Sequence, residues 1–283
     1  MTDSTLSKFS KHVIVSKDDT KIGYLSIGQG PGLVLIHGGA ATSSSLTKLG
    51  ELLSDSFTVF IPDRRGRGMS GLPVQDHGLA SEIEDVDALL RKTNARKVFG
   101  LSAGAIVVLQ AALELPAISQ VALFEPPLPV AGTSPTFWAS RYEREVSQGK
   151  LGAALVTILK GTESVRAPRF ILVPIMTRKL KKSDARARQL GVQPMSEVIP
   201  AMRRDIRIVE DSKGPIDRFR AMKCDVLLLG ATKSPQYLKT ALDELNIVLP
   251  NARRVTIPAV DHAAATNRGK PELVANELRT FFN

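Results

Sequence analysis

Three segments of this 283-residue chain have residue types and spacings that could act together on a carbonyl carbon. The first is Gly100-Leu101-Ser102-Ala103-Gly104, which follows the apolar pair Val98-Phe99 and opens a helical pattern over 103–114. A serine on a sharp strand-to-helix turn is held in a strained backbone conformation, and small residues on both sides allow the close approach. The helix N-terminus behind it favours developing negative charge. A GxSxG string arises by chance in about one chain in ten of this length. The strand before it and the helix after it are what give it meaning.

A serine hydroxyl needs a base to become a nucleophile. Four histidines are available. His12 lies in an N-terminal strand, His77 in a polar loop, and His37 at the end of the 33–36 strand, where a backbone-bonding role is expected. His262 is the only one after Ser102. It sits in the loop Ala259-Val260-Asp261-His262-Ala263, just past a strand over 253–257. That is the edge of a parallel sheet where ligands bind in open α/β folds. The third segment, His37-Gly38-Gly39-Ala40, is a Gly-rich turn at another strand end. The Gly39 N–H, together with that of Ala103, would form a two-donor oxyanion hole.

Elements of one kind must position these groups. Continuous apolar runs at 33–36, 57–61, 97–99 and 120–124 read as strands covered on both faces. Two β-branched strands precede them, at 11–16 and 21–27. Helical patterns over 44–54, 80–93 and 103–114 alternate with the strands, which predicts βαβ units and a mostly parallel sheet. The alternation stops at Pro126-Pro127-Leu128-Pro129. Helical patterns then fill the chain to about residue 222, with breaks expected near Pro168, Pro174, Pro194 and Gly214-Pro215. Strands at 226–229 and 253–257 and helices at 235–245 and 271–282 complete the core.

Charge is unevenly spread. The net charge is +10, and residues 126–222 carry 18 Lys+Arg against 9 Asp+Glu, a net +9. Its densest stretch, Arg178-Lys179-Leu180-Lys181-Lys182, is read as a solvated helix face. It contains no stacking aromatics, which argues against a nucleic-acid site. No apolar run is long enough to span a membrane. The N-terminal segment lacks a signal-peptide pattern, and the one cysteine, Cys224, excludes an internal disulfide and a multi-cysteine metal site. The expectation is a cytoplasmic protein without metal or cofactor, acting on a small molecule; a homodimer is compatible with it.

The chain resembles the α/β-hydrolase superfamily. The resemblance rests on HGGA at 37–40, PDRRGRGMSG at 62–71, GLSAG at 100–104, LFEPP at 123–127 and the loop holding Asp261-His262. It implies an eight-stranded, mostly parallel sheet formed by residues 1–127 and 223–283, with a helical cap at 128–222 inserted after strand six. It also implies a Ser–His–acid triad with Ser102 and His262.

The sequence departs from that pattern at the acid. Most members place it in a turn after strand seven, where this chain reads Gly230-Ala231-Thr232-Lys233-Ser234-Pro235, without a carboxylate. Asp225 begins its strand at the wrong sheet edge, Asp243 and Glu244 lie late in a helix, and Asp261 adjoins His262. Glu125 ends the 120–124 strand at the same edge as Ser102. Haloalkane dehalogenases and fungal resorcylic-lactone hydrolases take their acid from this strand, so Glu125 is the expected third member.

A serine rather than an aspartate at the elbow points to acyl transfer on an ester or lactone. Alternatives are perhydrolase or haloperoxidase chemistry, hydrolytic C–C cleavage, and a non-catalytic ligand-binding homologue. Phe137, Trp138 and Tyr142 are expected to line the substrate pocket.

Overall fold

Continuous apolar strands need cover on both faces, and every central strand has it. In β3 (Gly32–Ile36), Leu33 and Leu35 pack on one side and Val34 and Ile36 on the other. β6 (Gln120–Phe124) divides Val121 and Leu123 from Ala122 and Phe124 in the same way. β7 (Asp225–Ala231) does so with Val226 and Leu228 against Leu227 and Leu229. Period-two alternation thus feeds two separate cores, so no position in the run is free to be polar.

The computed structural model describes residues 7–72, 77–130, 132–189 and 191–283. The remaining strands are β1 (Ser10–Val15), β2 (Lys21–Ile27), β4 (Thr58–Pro62), β5 (Lys97–Leu101) and β8 (Ala252–Ile257). They form one eight-stranded sheet in the order β1-β2-β4-β3-β5-β6-β7-β8. β1 and β2 pair antiparallel, as do β2 and β4, and all other pairs are parallel. The C-terminal ends of β3, β5, β6, β7 and β8 therefore share one edge.

Helices cover both faces. α1 (Thr47–Leu53) and, at the C-terminus, α9 (Pro271–Phe282) lie on one side. α2 (Leu79–Thr93), α3 (Ala103–Glu114) and α8 (Gln236–Val248) lie on the other. α3 is apolar almost all round and nearly wholly buried, as a helix between sheet and insertion must be. The helix expected over 44–54 is instead a 3-10 turn, Ser43–Leu46, followed by α1. The Ser44 carbonyl accepts hydrogen bonds from Asn267 Nδ2 and Thr47 Oγ1, which diverts it from the helical ladder.

Among the described residues four α-helices lie between β6 and β7, α4 (Ala139–Ser147), α5 (Leu151–Gly161), α6 (Arg169–Gln189) and α7 (Met195–Asp211), followed by a 3-10 turn at Ile216–Ala221. They enclose a small core of their own around Trp138, Tyr142, Ala154, Ile158, Leu180 and Ile199. α7 is amphipathic and packs on α2 and α3. Both ends of the segment 128–222 belong to the sheet-side core rather than to this insertion, because Leu128, Phe219 and Met222 are buried there. The break expected near Pro174 does not occur. α6 runs through it, with Phe170, whose carbonyl Pro174 cannot engage, and Pro174 itself both exposed residues.

Candidate active site

Ser102 is the hinge between β5 and α3, with φ 55° and ψ −122°. A non-glycine residue there costs about 1–3 kcal/mol and persists only if its surroundings insist. They do: Ser102 N–H donates to Phe124 O at 2.9 Å, and Ser102 O accepts from Ala105 N–H at 2.8 Å. The flanking glycines are required by contact. A Cβ on Gly100 would sit 2.6 Å from Ala105 Cα, and one on Gly104 would sit 2.5 Å from His37 O.

Glu125 follows β6 directly, at φ 49°, with its backbone N–H on Leu229 O. Its side chain is fully buried. Oε1 accepts from Ala231 N–H at 2.7 Å, and Oε2 accepts from Ser234 Oγ at 2.8 Å. Oε2 also meets His262 Nδ1 at 2.7 Å. A carboxylate on Nδ1 leaves Nε2 as the basic nitrogen. His262 is positioned by two backbone ties between neighbouring loops: Ala259 N–H donates to Thr232 Oγ1, and Lys233 N–H donates to Val260 O. The turn after β7 thus holds both acid and imidazole without containing a carboxylate. Asp261, by contrast, is exposed, and its Oδ1 accepts from Ala263 N–H.

Ser102, His262, Gly39 and Ala103 line one cavity of about 50 Å³, room for a few water molecules. No described residue engages the N–H of Gly39 or of Ala103. The apolar wall is formed by Pro127, Pro135 and Trp138, and from α7 by Met202, Ile206 and Val209. Of the three aromatic residues expected there, only Trp138 lines the cavity. Phe137 points outward and is 72% exposed. Tyr142 is buried inside the insertion, where its hydroxyl donates to Ile199 O. Trp138 stands edge-on to Tyr142, so one ring faces the cavity and the other backs it.

Taken together, the elbow, the sheet order and the positions of β3, β5, β6 and β8 describe one fold. The sequence matches the alpha/beta hydrolase family over residues 33–277. The chain belongs to that family. Among solved structures, an alpha/beta hydrolase from Sphaerobacter thermophilus is 29% identical, covers 96% of this chain and 100% of that one, and has a TM-score of 0.76. The 2-(acetamidomethylene)succinate hydrolase of Mesorhizobium japonicum is 23% identical over 265 residues, 90% of this chain and 89% of that protein. The cis-3-alkyl-4-alkyloxetan-2-one decarboxylase of Shewanella oneidensis is 32% identical over 96 residues, but that match spans only 33% of this chain and 30% of the decarboxylase.

Within this α/β hydrolase, sequence reasoning missed Asp205. It comes from α7, is fully buried, and lines the cavity beside Gly39. Its Oδ1 accepts from Arg64 Nη1 at 2.7 Å. Its Oδ2 accepts from Arg67 Nη2 at 2.6 Å and from Ala40 N–H at 3.2 Å. Burial opposes its charge, but Arg67 and Arg64 outweigh that and hold the carboxyl below the usual range. Ala40 adopts φ 47°, so the Asp205 bond fixes a backbone that would otherwise relax.

Arg64 also pairs with Glu82, and Arg65 with Asp18 and Asp85. The neighbouring His37 is kept neutral by burial and by the guanidiniums of Arg64 and Arg67. Its Nε2 accepts from Arg64 N–H. Two signals in the sequence pointed to Asp205. Three arginines crowd into Arg64-Arg65-Gly66-Arg67, and an acid stands in the apolar stripe Val198, Met202, Asp205, Val209 of α7.

Proposed function

We propose that this protein is a serine hydrolase that cleaves a small, uncharged ester or lactone through an acyl-enzyme. The observation that carries the reading is the 2.7 Å contact between Glu125 Oε2 and His262 Nδ1 beside the strained Ser102 elbow. Ser102 attacks the acyl carbon while His262 Nε2 accepts its proton. Glu125 stays ionised, fixes the tautomer and stabilises the imidazolium. The N–H groups of Gly39 and Ala103 hold the oxyanion. His262 returns the proton to the leaving oxygen, then draws a proton from the attacking water and passes it to Ser102 Oγ as the acid product is released.

The four inserted helices act as a cap, and Trp138 with the α7 residues selects the substrate. Among the described residues that line the cavity there is no lysine or arginine, and the carboxylate present is Asp205. Such a lining offers a carboxylate substrate no cationic partner, so a dicarboxylate like that of the Mesorhizobium hydrolase is a poor fit. The Shewanella relative is named for a cis-3-alkyl-4-alkyloxetan-2-one, a four-membered lactone without a charge.

The test is turnover of p-nitrophenyl acetate by the wild-type chain and by Ser102→Ala, with peptide mapping after a fluorophosphonate. Wild-type turnover, loss of activity in the variant and label on Ser102 alone are expected. Undiminished turnover by Ser102→Ala, or label elsewhere, overturns the assignment.

A further inference from the structure

Among the described helices, α6 is the one that exposes both a cluster of large apolar side chains and a run of cations. Its exposed positions fall on one side of the helix and divide lengthwise into two parts. The N-terminal part is apolar: Phe170 is 79% exposed, Ile171 43% and Ile175 44%, with exposed Pro174 among them. The C-terminal part is basic: Arg178, Lys179, Lys181, Lys182 and Arg188 are all exposed, and none of these five ion-pairs with a described residue. The single acid of the helix, Asp184, is buried on the opposite side, where it accepts from Ser196 N–H. No negative charge interrupts the exposed side. The segment 162–168 joins its apolar end to Thr162, which lines the active-site cavity.

Exposed aromatic and aliphatic side chains next to one another normally mark a binding surface. The chemistry of the whole strip identifies the occupant. A nucleic acid would use the cations but gains little from Ile171, Pro174 and Ile175, which neither stack nor hydrogen-bond. A second copy meeting this face by two-fold symmetry would set cations against cations or against the apolar end. The surface of an anionic bilayer takes both parts at once: apolar side chains enter the acyl boundary and Lys/Arg lie among the headgroups. We infer that α6 docks this protein reversibly on anionic lipid membranes, with Phe170, Ile171 and Ile175 inserted and the basic end along the phosphates. This is peripheral attachment: among the described residues no helix is long and apolar enough to cross a membrane. The inference stands apart from the hydrolase reading.

The experiment is co-sedimentation of the full chain with vesicles of phosphatidylcholine mixed with phosphatidylglycerol, and with vesicles of phosphatidylcholine alone. Sedimentation with the first but not the second, reversed by added salt, is expected. Each basic residue near an anionic surface is worth about fivefold in partitioning. The combined variant Arg178→Gln, Lys179→Gln, Lys181→Gln, Lys182→Gln should therefore bind at least about 100-fold more weakly. A second variant, Phe170→Ser, Ile171→Ser, Ile175→Ser, keeps every charge and should also lose binding. Both should melt like the wild type, since all seven side chains face solvent.

Three results overturn the proposal. The first is no sedimentation with the anionic vesicles. The second is sedimentation unchanged by either variant. The third is a wild-type dimer, unable to bind vesicles, that the Ser variant converts to monomer; this would assign the face to a second copy.

Discussion

Two fully buried carboxylates, Glu125 and Asp205, flank the same serine but are held in opposite ways. Glu125 is bonded by neutral donors, the Ala231 N–H and the Ser234 hydroxyl, so its charge remains for the imidazole of His262. Asp205 is bonded by two guanidiniums, so its charge is spent on permanent cations. Neutral donors stabilise a carboxylate without cancelling it, and its field can answer a charge that appears only during a reaction. Fixed cations cancel it, and what remains is geometry. Burial alone therefore does not separate Glu125, the acid of the proposed triad, from Asp205, a bracing one; the partners do.

Glu125→Gln tests the working side and should have the largest effect. The amide keeps the shape, but its NH2 toward Nδ1 favours the wrong imidazole tautomer. In serine-nucleophile triads such a change costs about 10⁴ in kcat, roughly 5 kcal/mol. The melting temperature should move little by comparison. Steady-state kinetics on p-nitrophenyl acetate decide it; a loss under about tenfold would show that Glu125 only braces its turn.

Asp205→Asn tests the bracing side and should reverse the pattern. It leaves Arg67 buried without its carboxylate, at about 3–5 kcal/mol of folding stability, while kcat falls less than in Glu125→Gln. Acid sharpens the contrast. The folded protein holds this carboxyl below its ordinary value of about 3.9, so the unfolded chain takes up the proton first as pH falls. The stabilising contribution is complete above that value and is lost as pH drops through the folded one. Melting curves of wild type and variant should therefore converge in acid. Curves that stay parallel would show that the Asp205 charge does not stabilise the fold.

Asp261→Asn should have the smallest effect, on the order of tenfold or below in kcat. The residue adjoins His262 but points to solvent and bonds its own loop. A crippled Asp261→Asn beside a mild Glu125→Gln would put the acid on the wrong strand.

How far the sequence could carry this comparison depends on what sets each position. Ser102, Glu125 and His262 sit within a few residues of apolar strand ends, and parallel strands bring those ends to one edge whatever the helices do. Their approach could be read from order alone. Asp205 could not be placed that way, because it sits mid-helix and its neighbours depend on how α7 docks on α2 and α3. The same holds for Phe137 and Trp138: adjacent in sequence, one faces water and the other the cavity, and only the packing of α4 and α5 decides which. The Ser234 hydroxyl was hidden for a subtler reason. Attention at that turn goes to the missing carboxylate, and nothing in a single sequence marks a serine as the support of an acid on the next strand.

The bonds from Arg64, Arg67 and Ala40 to Asp205 bear on how this scaffold can be rebuilt. The four inserted helices look like an exchangeable module: they leave the sheet after one strand, return before the next and carry a core of their own. Grafting a foreign segment in place of 139–211 would nonetheless strand the Arg67 guanidinium in the interior, leave Arg64 with Glu82 alone and release the Ala40 peptide. A working chimera must bring a carboxylate to the position of Asp205, or replace Arg67 in the same step. The unit of exchange is therefore the helices together with part of the loop after β4, which is separated from them by more than 60 residues of chain.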